Sequence, residues 1–427
     1  MVNKAEIGDS FGNRVLTDLA KVKFKDFLVI IFLLFLPFSQ ALTINVVFPL
    51  KISEIFLFLI LFYEISVRNI LKWRMGGPVM LILIFLVVVF ISVVFNFFYR
   101  YSYELPTEYS RITPQIDSLL KFIYVIISVV TLVITRNALS ENPRLIKWFF
   151  VGAVISSCYA WYLFFSGMLH LPVLLLPGMD NPPQIMNTGM GDIIRCGTFK
   201  EGNYMGFFLL IAAFTALYYK RKILAIFFFL TIVTTFSTTS IFCAIVFYIF
   251  YLFKRFKKYK VKVMGAISII AVIILLLNQF SESFNTIFYN KVFGDKDSVE
   301  NANDLYSKAD RLNTSYVGLQ IFAHNPVLGV GLANYGLHYN HYNELPQLDV
   351  VDQAKRIPNN IYVEILSECG GIVFLIFLIF LHQLFRIAKN KSNAVLASGL
   401  TACCVYFLAF PTFTMLFIWF FLGVILS

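Results

Sequence analysis

Residues 79–98 read VMLILIFLVVVFISVVFNFF, an apolar run without a single charged side chain. A helix that crosses the hydrocarbon core needs about 20 such residues. Inside a bilayer each backbone N–H and C=O must also be satisfied without water, which a helix achieves within its own segment. Similar runs recur on both sides of this one. Candidate spans lie near 27–46, 52–67, 79–98, 118–135, 147–167, 204–219, 223–237, 239–253, 263–280, 360–385, 393–410 and 412–426. Composition agrees with that reading: 59% of residues are apolar and 14% charged, and the mean hydropathy is +0.77, far from the soluble average. The fold class that follows is an all-α polytopic membrane protein of about 12 transmembrane helices.

Lys and Arg near the ends of spans are retained on the cytoplasmic side. One orientation places most of the 35 basic residues inside: those before Phe27, Arg68 to Arg74, Arg136 to Lys147, Lys220 to Lys222, Lys254 to Lys262, and Arg386 to Lys391. Both termini are therefore expected in the cytoplasm, with the chain in a bacterial inner membrane. The +11 net charge is read as this topology signal. The basic run at Lys254 to Lys262 suits anionic headgroups of membrane lipids, and no soluble domain is present to read nucleic acid. Met1 to Lys25 lacks the pattern of a removable signal peptide. Of the six cysteines only Cys196 falls in a loop, so neither a disulfide framework nor a metal site is read from them.

This topology divides the chain into three parts. Residues 1–280 carry nine helices and the outside loops 98–117 and 168–203; residues 281–359 form a large extracytoplasmic helical loop; residues 360–427 carry the last three helices. Within the large loop, Arg311 to Ala323 predicts an amphipathic helix with Leu312, Tyr316, Leu319 and Ala323 on one face. Ser307 or Asp310 is placed to cap its start and His324-Asn325-Pro326 to end it. Gly329-Val330-Gly331 follows no strand, so it reads as a sharp turn and not as a phosphate loop.

Two segments in these loops carry more pattern than the rest. The first is Arg195-Cys196-Gly197-Thr198-Phe199-Lys200-Glu201-Gly202-Asn203-Tyr204-Met205-Gly206. The second runs from Arg311 through Asn325-Pro326-Val327-Leu328-Gly329-Val330-Gly331 to Pro358-Asn359-Asn360-Ile361-Tyr362-Val363-Glu364 and on to Gly370. Together they resemble the Wzy/WaaL superfamily of O-antigen polymerases and ligases, whose pattern reads roughly R-x-G-T-F-x-x-P-N-x-x-G and later N-P-L-L-G-V-G…H-N-x-Y-L-E. That resemblance implies a GT-C-like membrane glycosyltransferase, with undecaprenyl-diphosphate-linked glycans as donor and acceptor. A chain-length-regulating membrane protein is carried as a further partner. Two positions depart from the pattern. Gly202 stands in place of proline, which reads as a neutral exchange in a turn. Asn359 stands in place of the ligase histidine, which favours polymerase over ligase.

The chemistry points to the same residues. A lipid diphosphate gains negative charge as its glycosidic bond breaks, and fixed cations or a metal must meet that charge. Arginine grips phosphate oxygens in pairs, so Arg195 and Arg311 are the expected leaving-group contacts, with Arg356 a third and no cofactor required. The attacking hydroxyl needs a base. Glu201 lies in the first motif, and Glu364 and Glu368 share a helix face at a depth where carboxylates are costly unless they face a cavity. Tyr335, His338 and His341 belong to a His/Tyr/Asn patch of the kind that binds sugars. Asn203, Asn359 and Asn360 complete the candidate substrate contacts by their places in the two motifs. A lipid-linked oligosaccharide flippase is the alternative of another class, and the near absence of charge within the spans weighs against it.

Overall fold

The computed structural model describes residues 23–45, 49–67, 76–98, 113–181, 183–187, 192–255, 299–344, 356–391 and 393–427. Its elements in chain order are α1 Phe24–Phe35, the strands β1 Ile44–Asn45 and β2 Pro49–Leu50, α2 Ile52–Ser66, α3 Gly77–Phe97, α4 Pro114–Glu141 and α5 Ile146–Met168. Next come β3 Ile185–Asn187, β4 Asp192–Ile194, α6 Gly202–Tyr218, α7 Lys222–Thr231 with a 3-10 turn at Ile232–Thr235, and α8 Thr238–Arg255. The chain continues with α9 Val299–His324, α10 Tyr335–Tyr342, α11 Ile361–Asn390, α12 Ala394–Tyr406 and α13 Leu416–Leu426. β1 pairs with β2 and β3 with β4, both antiparallel.

Among the described residues four helices are long and apolar enough to cross a membrane: Gly77–Phe97, Pro114–Glu141, Pro143–Met168 and Ile361–Asn390. Shorter apolar helices stand at Gly202–Tyr218, Lys222–Thr235, Thr238–Lys254, Ala394–Ala409 and Leu416–Leu426. The architecture is that of a helical membrane protein. The candidate span at 263–280 lies outside the described residues. The expected first span, 27–46, is shorter than the apolar run suggests. α1 stops at Phe35 because Pro37 follows closely and disfavours helical backbone in the residue before it.

α6 is the central helix. Its residues from Tyr204 to Ala216 are all buried, which an all-round apolar helix requires. Aromatic rings fix its neighbours: Phe207 stacks on Tyr406 of α12 at 4.1 Å, and Phe208 meets Phe417 of α13 edge-on at 6.0 Å. Away from the core, Lys25 bridges Glu64 of α2 at 2.8 Å and Glu141 of α4 at 3.0 Å. Helix ends assigned to one side by the basic-residue bias therefore meet in space.

α9 corrects three sequence expectations. It begins at Val299, so Ser307 and Asp310 lie inside it and cap nothing, while Asp310 pairs with Arg356 at 3.0 Å. Leu312, Tyr316 and Leu319 are exposed. The buried face instead carries Asn313, Thr314, Val317, Gly318 and Ile321. Gly318 lets Val363 of α11 approach closely, and a stripe of larger residues there would hold the two helices apart. The predicted stop holds, since α9 ends at His324.

α11 is broken at Gly370, which takes φ 82° and ψ 177°. The segment after α9 occupies the break. Val330 N–H donates to Ser367 C=O at 2.9 Å, Gly331 N–H to Glu368 C=O at 2.8 Å, and Gly371 N–H to Pro326 C=O at 2.8 Å. Ser92 of α3 donates to the Leu328 carbonyl at 2.6 Å. Groups released by the helix break are thus satisfied by the turn, and both glycines of Gly329-Val330-Gly331 take positive φ. A Cβ at Gly370 would meet the Val327 carbonyl, in backbone that costs about 1–2 kcal/mol for a non-glycine residue. Gly370→Ala is therefore expected to lower the detergent-solubilised melting temperature and to lose the 326–331 pairing in hydrogen exchange. Exposed-surface alanine substitutions on α11 should do neither.

Candidate functional site

The first motif divides into scaffold and chemistry. Gly197 turns the chain with φ 56°. The Thr198 hydroxyl donates to the Pro37 carbonyl at 2.7 Å and lies 2.7 Å from Ser156 Oγ, while its carbonyl accepts from Gln40 and Ala41 N–H at 3.1 and 3.2 Å. Phe199 is fully buried against Phe208, with ring centroids 5.3 Å apart. These three residues anchor the loop to α1, α5 and α6. Arg195 is left at its edge, half-buried, directly after β4.

Arg195 is oriented by a residue that the sequence reading missed. Gln184 Oε1 accepts from Arg195 Nε at 3.1 Å and from the Gly202 N–H at 2.8 Å. The exchange at Gly202 is thus not neutral: proline has no N–H to donate, and a Cβ there would lie 2.6 Å from the Thr235 carbonyl. Glu201 occupies the N-cap of α6 without capping it, and it forms no ion pair among the described residues. Asn203 is half-buried, and its carbonyl accepts from the Tyr406 hydroxyl at 2.9 Å. That hydroxyl also lies 2.9 Å from Ser240 Oγ and 3.4 Å from Ser237 Oγ. The ends of α6, α7, α8 and α12 therefore meet at one point.

Arg311, from α9, reaches the same point. Its charge acts on the Tyr406 hydroxyl, and among the described residues it forms no ion pair. Arg356 differs: it pairs with Asp310 and lies 5.6 Å from the Tyr339 ring centroid, with Nη2 buried and unpartnered.

Glu364 and Glu368 share a face of α11, and the structure supplies their counter-charge. Lys121 of α4 lies 2.8 Å from Glu364 Oε1 and 2.6 Å from Glu368 Oε2. No signal near Lys121 marked it, because its partners are more than 240 residues away in sequence. Glu364 also accepts from the Phe413 N–H at 3.0 Å. Both carboxylates are nearly inaccessible, at 1% and 2% exposure. Tyr204 stands between the two acidic groups of the site, since Glu201 and Glu364 both act on its hydroxyl.

The remaining candidates support the surrounding scaffold. Asn360 caps α11, accepting from Tyr362 and Val363 N–H at 3.0 and 3.3 Å, with half-buried Asn359 just before it. Tyr335 is buried and donates to the Thr314 carbonyl at 2.6 Å. His338 is buried and His341 exposed. Burial, with a smaller contribution from the neighbouring His341, pushes the His338 imidazole down to about 4. Among the described residues no cluster of His, Cys, Asp or Glu is arranged to hold a metal. One Asp-x-Asp triplet, Asp295-Lys296-Asp297, does occur in the 281–359 loop and lies outside the described residues.

Two outcomes follow. Lys121→Met strands two carboxylates, a change that typically costs about 3–5 kcal/mol in a buried pair. It should abolish recovery of monodisperse protein, and adding Glu364→Gln and Glu368→Gln should restore it. His338 binds a proton more readily unfolded than folded, so stability of the outside segment should fall as pH drops from about 6.5 towards about 4. His338→Gln should flatten that slope in a pH series of thermal melts.

No curated protein sequence matches this chain. A family model, Wzy_C, described as O-antigen ligase, matches residues 223–378. That range takes in α7, α8, α9 with Arg311, the 326–331 turn, Arg356 and the outer half of α11, and it leaves Arg195 and Glu201 outside. The chain accordingly carries a Wzy_C region of the O-antigen ligase and polymerase superfamily over residues 223–378.

Proposed function

We propose that this protein polymerises undecaprenyl-diphosphate-linked oligosaccharide repeat units into O-antigen or a related surface polysaccharide, on the outer face of the bacterial inner membrane. The observation that carries the reading is the convergence of Arg195 and Arg311 on the N-terminal end of α6, with Glu201 beside them. A helix N-terminus favours anions, and two guanidinium groups add fixed positive charge where a diphosphate would leave. In this reading the chain crosses the membrane about 12 times in a GT-C-like arrangement, with both termini cytoplasmic. Residues 281–359 form the large outside loop between helices of 1–280 and 360–427.

The reaction is a displacement at the anomeric carbon of the donor glycan. The acceptor hydroxyl, on a second lipid-linked unit, forms the new C–O bond. The bond to the lipid diphosphate breaks, and that group departs with the electron pair, met by Arg195 and Arg311. The hydroxyl proton passes to Glu201, which is half-exposed at the site, whereas Glu368 and Glu364 are held on Lys121 and position α11. Charge stabilisation by arginine takes the place of a metal in this scheme, and a chain-length-regulating membrane protein is the partner that would set product size. The second reading is a ligase that moves finished glycan onto lipid A-core. The description of the matched family favours it, and asparagine at 359 in place of histidine favours the polymerase.

Banding of surface polysaccharide from a deletion strain tests this. Core capped by a single repeat unit is expected; bare core with polymer kept on its lipid carrier would make the protein a ligase. Arg195→Ala and Arg311→Ala, inserted at normal levels, should each cut polymer formation by about 100-fold or more, in line with loss of a donor to a developing anion. Glu201→Gln should do the same, and Arg356→Ala should have a smaller effect. Full-length polymer from either single arginine variant would sink the mechanism.

A further inference from the structure

The β3–β4 hairpin has no place in the mechanism so far, and its geometry gives it one. Ile185 pairs with Ile194, Met186 with Ile193 and Asn187 with Asp192. The residues just outside the ladder are Gln184 and Arg195, and the Arg195 N–H donates to the Gln184 carbonyl at 3.4 Å. The hairpin thus sets the Gln184 side chain opposite Arg195. Ile193 and Ile194 are buried, and Leu163 of α5 packs with Ile194 and Cys196, so the hairpin is seated on the helical body.

Gln184 Oε1 has two neighbours, Arg195 Nε and the Gly202 N–H, and both can only donate. The amide must therefore present its oxygen to them, since the flipped amide would set donor against donor. Three parts of the site are joined through that one atom: the hairpin, the guanidinium and the first turn of α6. Holding Nε fixes the guanidinium plane, and a planar fork binds an oxyanion in pairs only when its plane is set.

We infer that Gln184 is a positioning residue, which orients Arg195 towards a diphosphate through Nε while leaving its positive charge uncancelled. This inference rests on the arginine reading given above. The neutrality of glutamine is the essential property. A carboxylate at the same place would accept the same two hydrogen bonds and bind the guanidinium more tightly, yet it would neutralise the charge that the leaving group needs and repel the diphosphate itself. A residue that served only to hold the hairpin would tolerate that exchange, because both hydrogen bonds survive it.

The test compares Gln184→Glu, Gln184→Leu and Arg195→Ala in the full-length protein, purified in detergent and assayed for lipid-linked glycan turnover and for binding of undecaprenyl diphosphate. Gln184→Glu is expected to keep the wild-type melting temperature, to lose undecaprenyl diphosphate binding by at least tenfold, and to lose turnover with it. Gln184→Leu should lower kcat more than it raises KM, because the charge stays but its aim is lost. If Arg195→Ala is inactive while Gln184→Glu binds and turns over like wild type, Gln184 is structural and this inference alone is overturned. If Arg195→Ala is itself active, the arginine reading and this inference both fall.

Discussion

Two carboxylates one turn apart on α11 share a single lysine from α4, and much of the outer half of the molecule is tied to that contact. Glu364 and Glu368 are taken almost wholly out of water, which is tolerable only because Lys121 lies within 2.8 Å of one and 2.6 Å of the other. Each glutamate also binds a second segment. Glu364 receives the Phe413 N–H from the turn between α12 and α13, and the Glu368 carbonyl receives Gly331 from the turn after α9. The triad thereby sets the positions of α4, α11 and both turns. One negative charge is left over, in the same low-dielectric region as the uncompensated cation of Arg311, and the two moderate each other until an anionic ligand arrives.

The break in α11 extends this logic to the backbone. A straight helix would leave no carbonyls or N–H groups for the 326–331 segment, and that segment would have to find partners elsewhere. Gly370 opens the helix at the one place where the turn can fill it, and Gly329 allows the close approach from the other side. α9 is carried by the same joint, with Gly318 against Val363. Arg311 is therefore placed by a chain of contacts that begins at a helix break about 60 residues further along the chain.

The other arginine is placed by independent means. Thr198 and Phe199 fasten its loop to three helices, and the hairpin brings Gln184 to its Nε. Of the motif that first drew notice, Gly197, Thr198 and Phe199 build the support, and Arg195 and Glu201 are left to act. Strong sequence pattern here marks the scaffold as much as the chemistry. His338 and Tyr335 make the same point, since their sugar-binding composition belongs to a buried cluster under α9.

Apolar length and the bias of basic residues were enough to read a helical membrane protein, because a bilayer demands both properties of each segment locally. The two arginines were legible as well, through the charge of a diphosphate and the context of their motifs, and so was the pairing of Glu364 with Glu368, since a helix puts residues four apart on one face. Other features depended on partners far away in the chain. The lysine between the glutamates, the glutamine behind Arg195, the outward face of Leu312, Tyr316 and Leu319, and the end of α1 at Phe35 could not be read so directly. Local periodicity says which residues share a face but not which face finds a neighbour. Tertiary packing decides that, because burial and counter-charge come from whichever helix lies alongside.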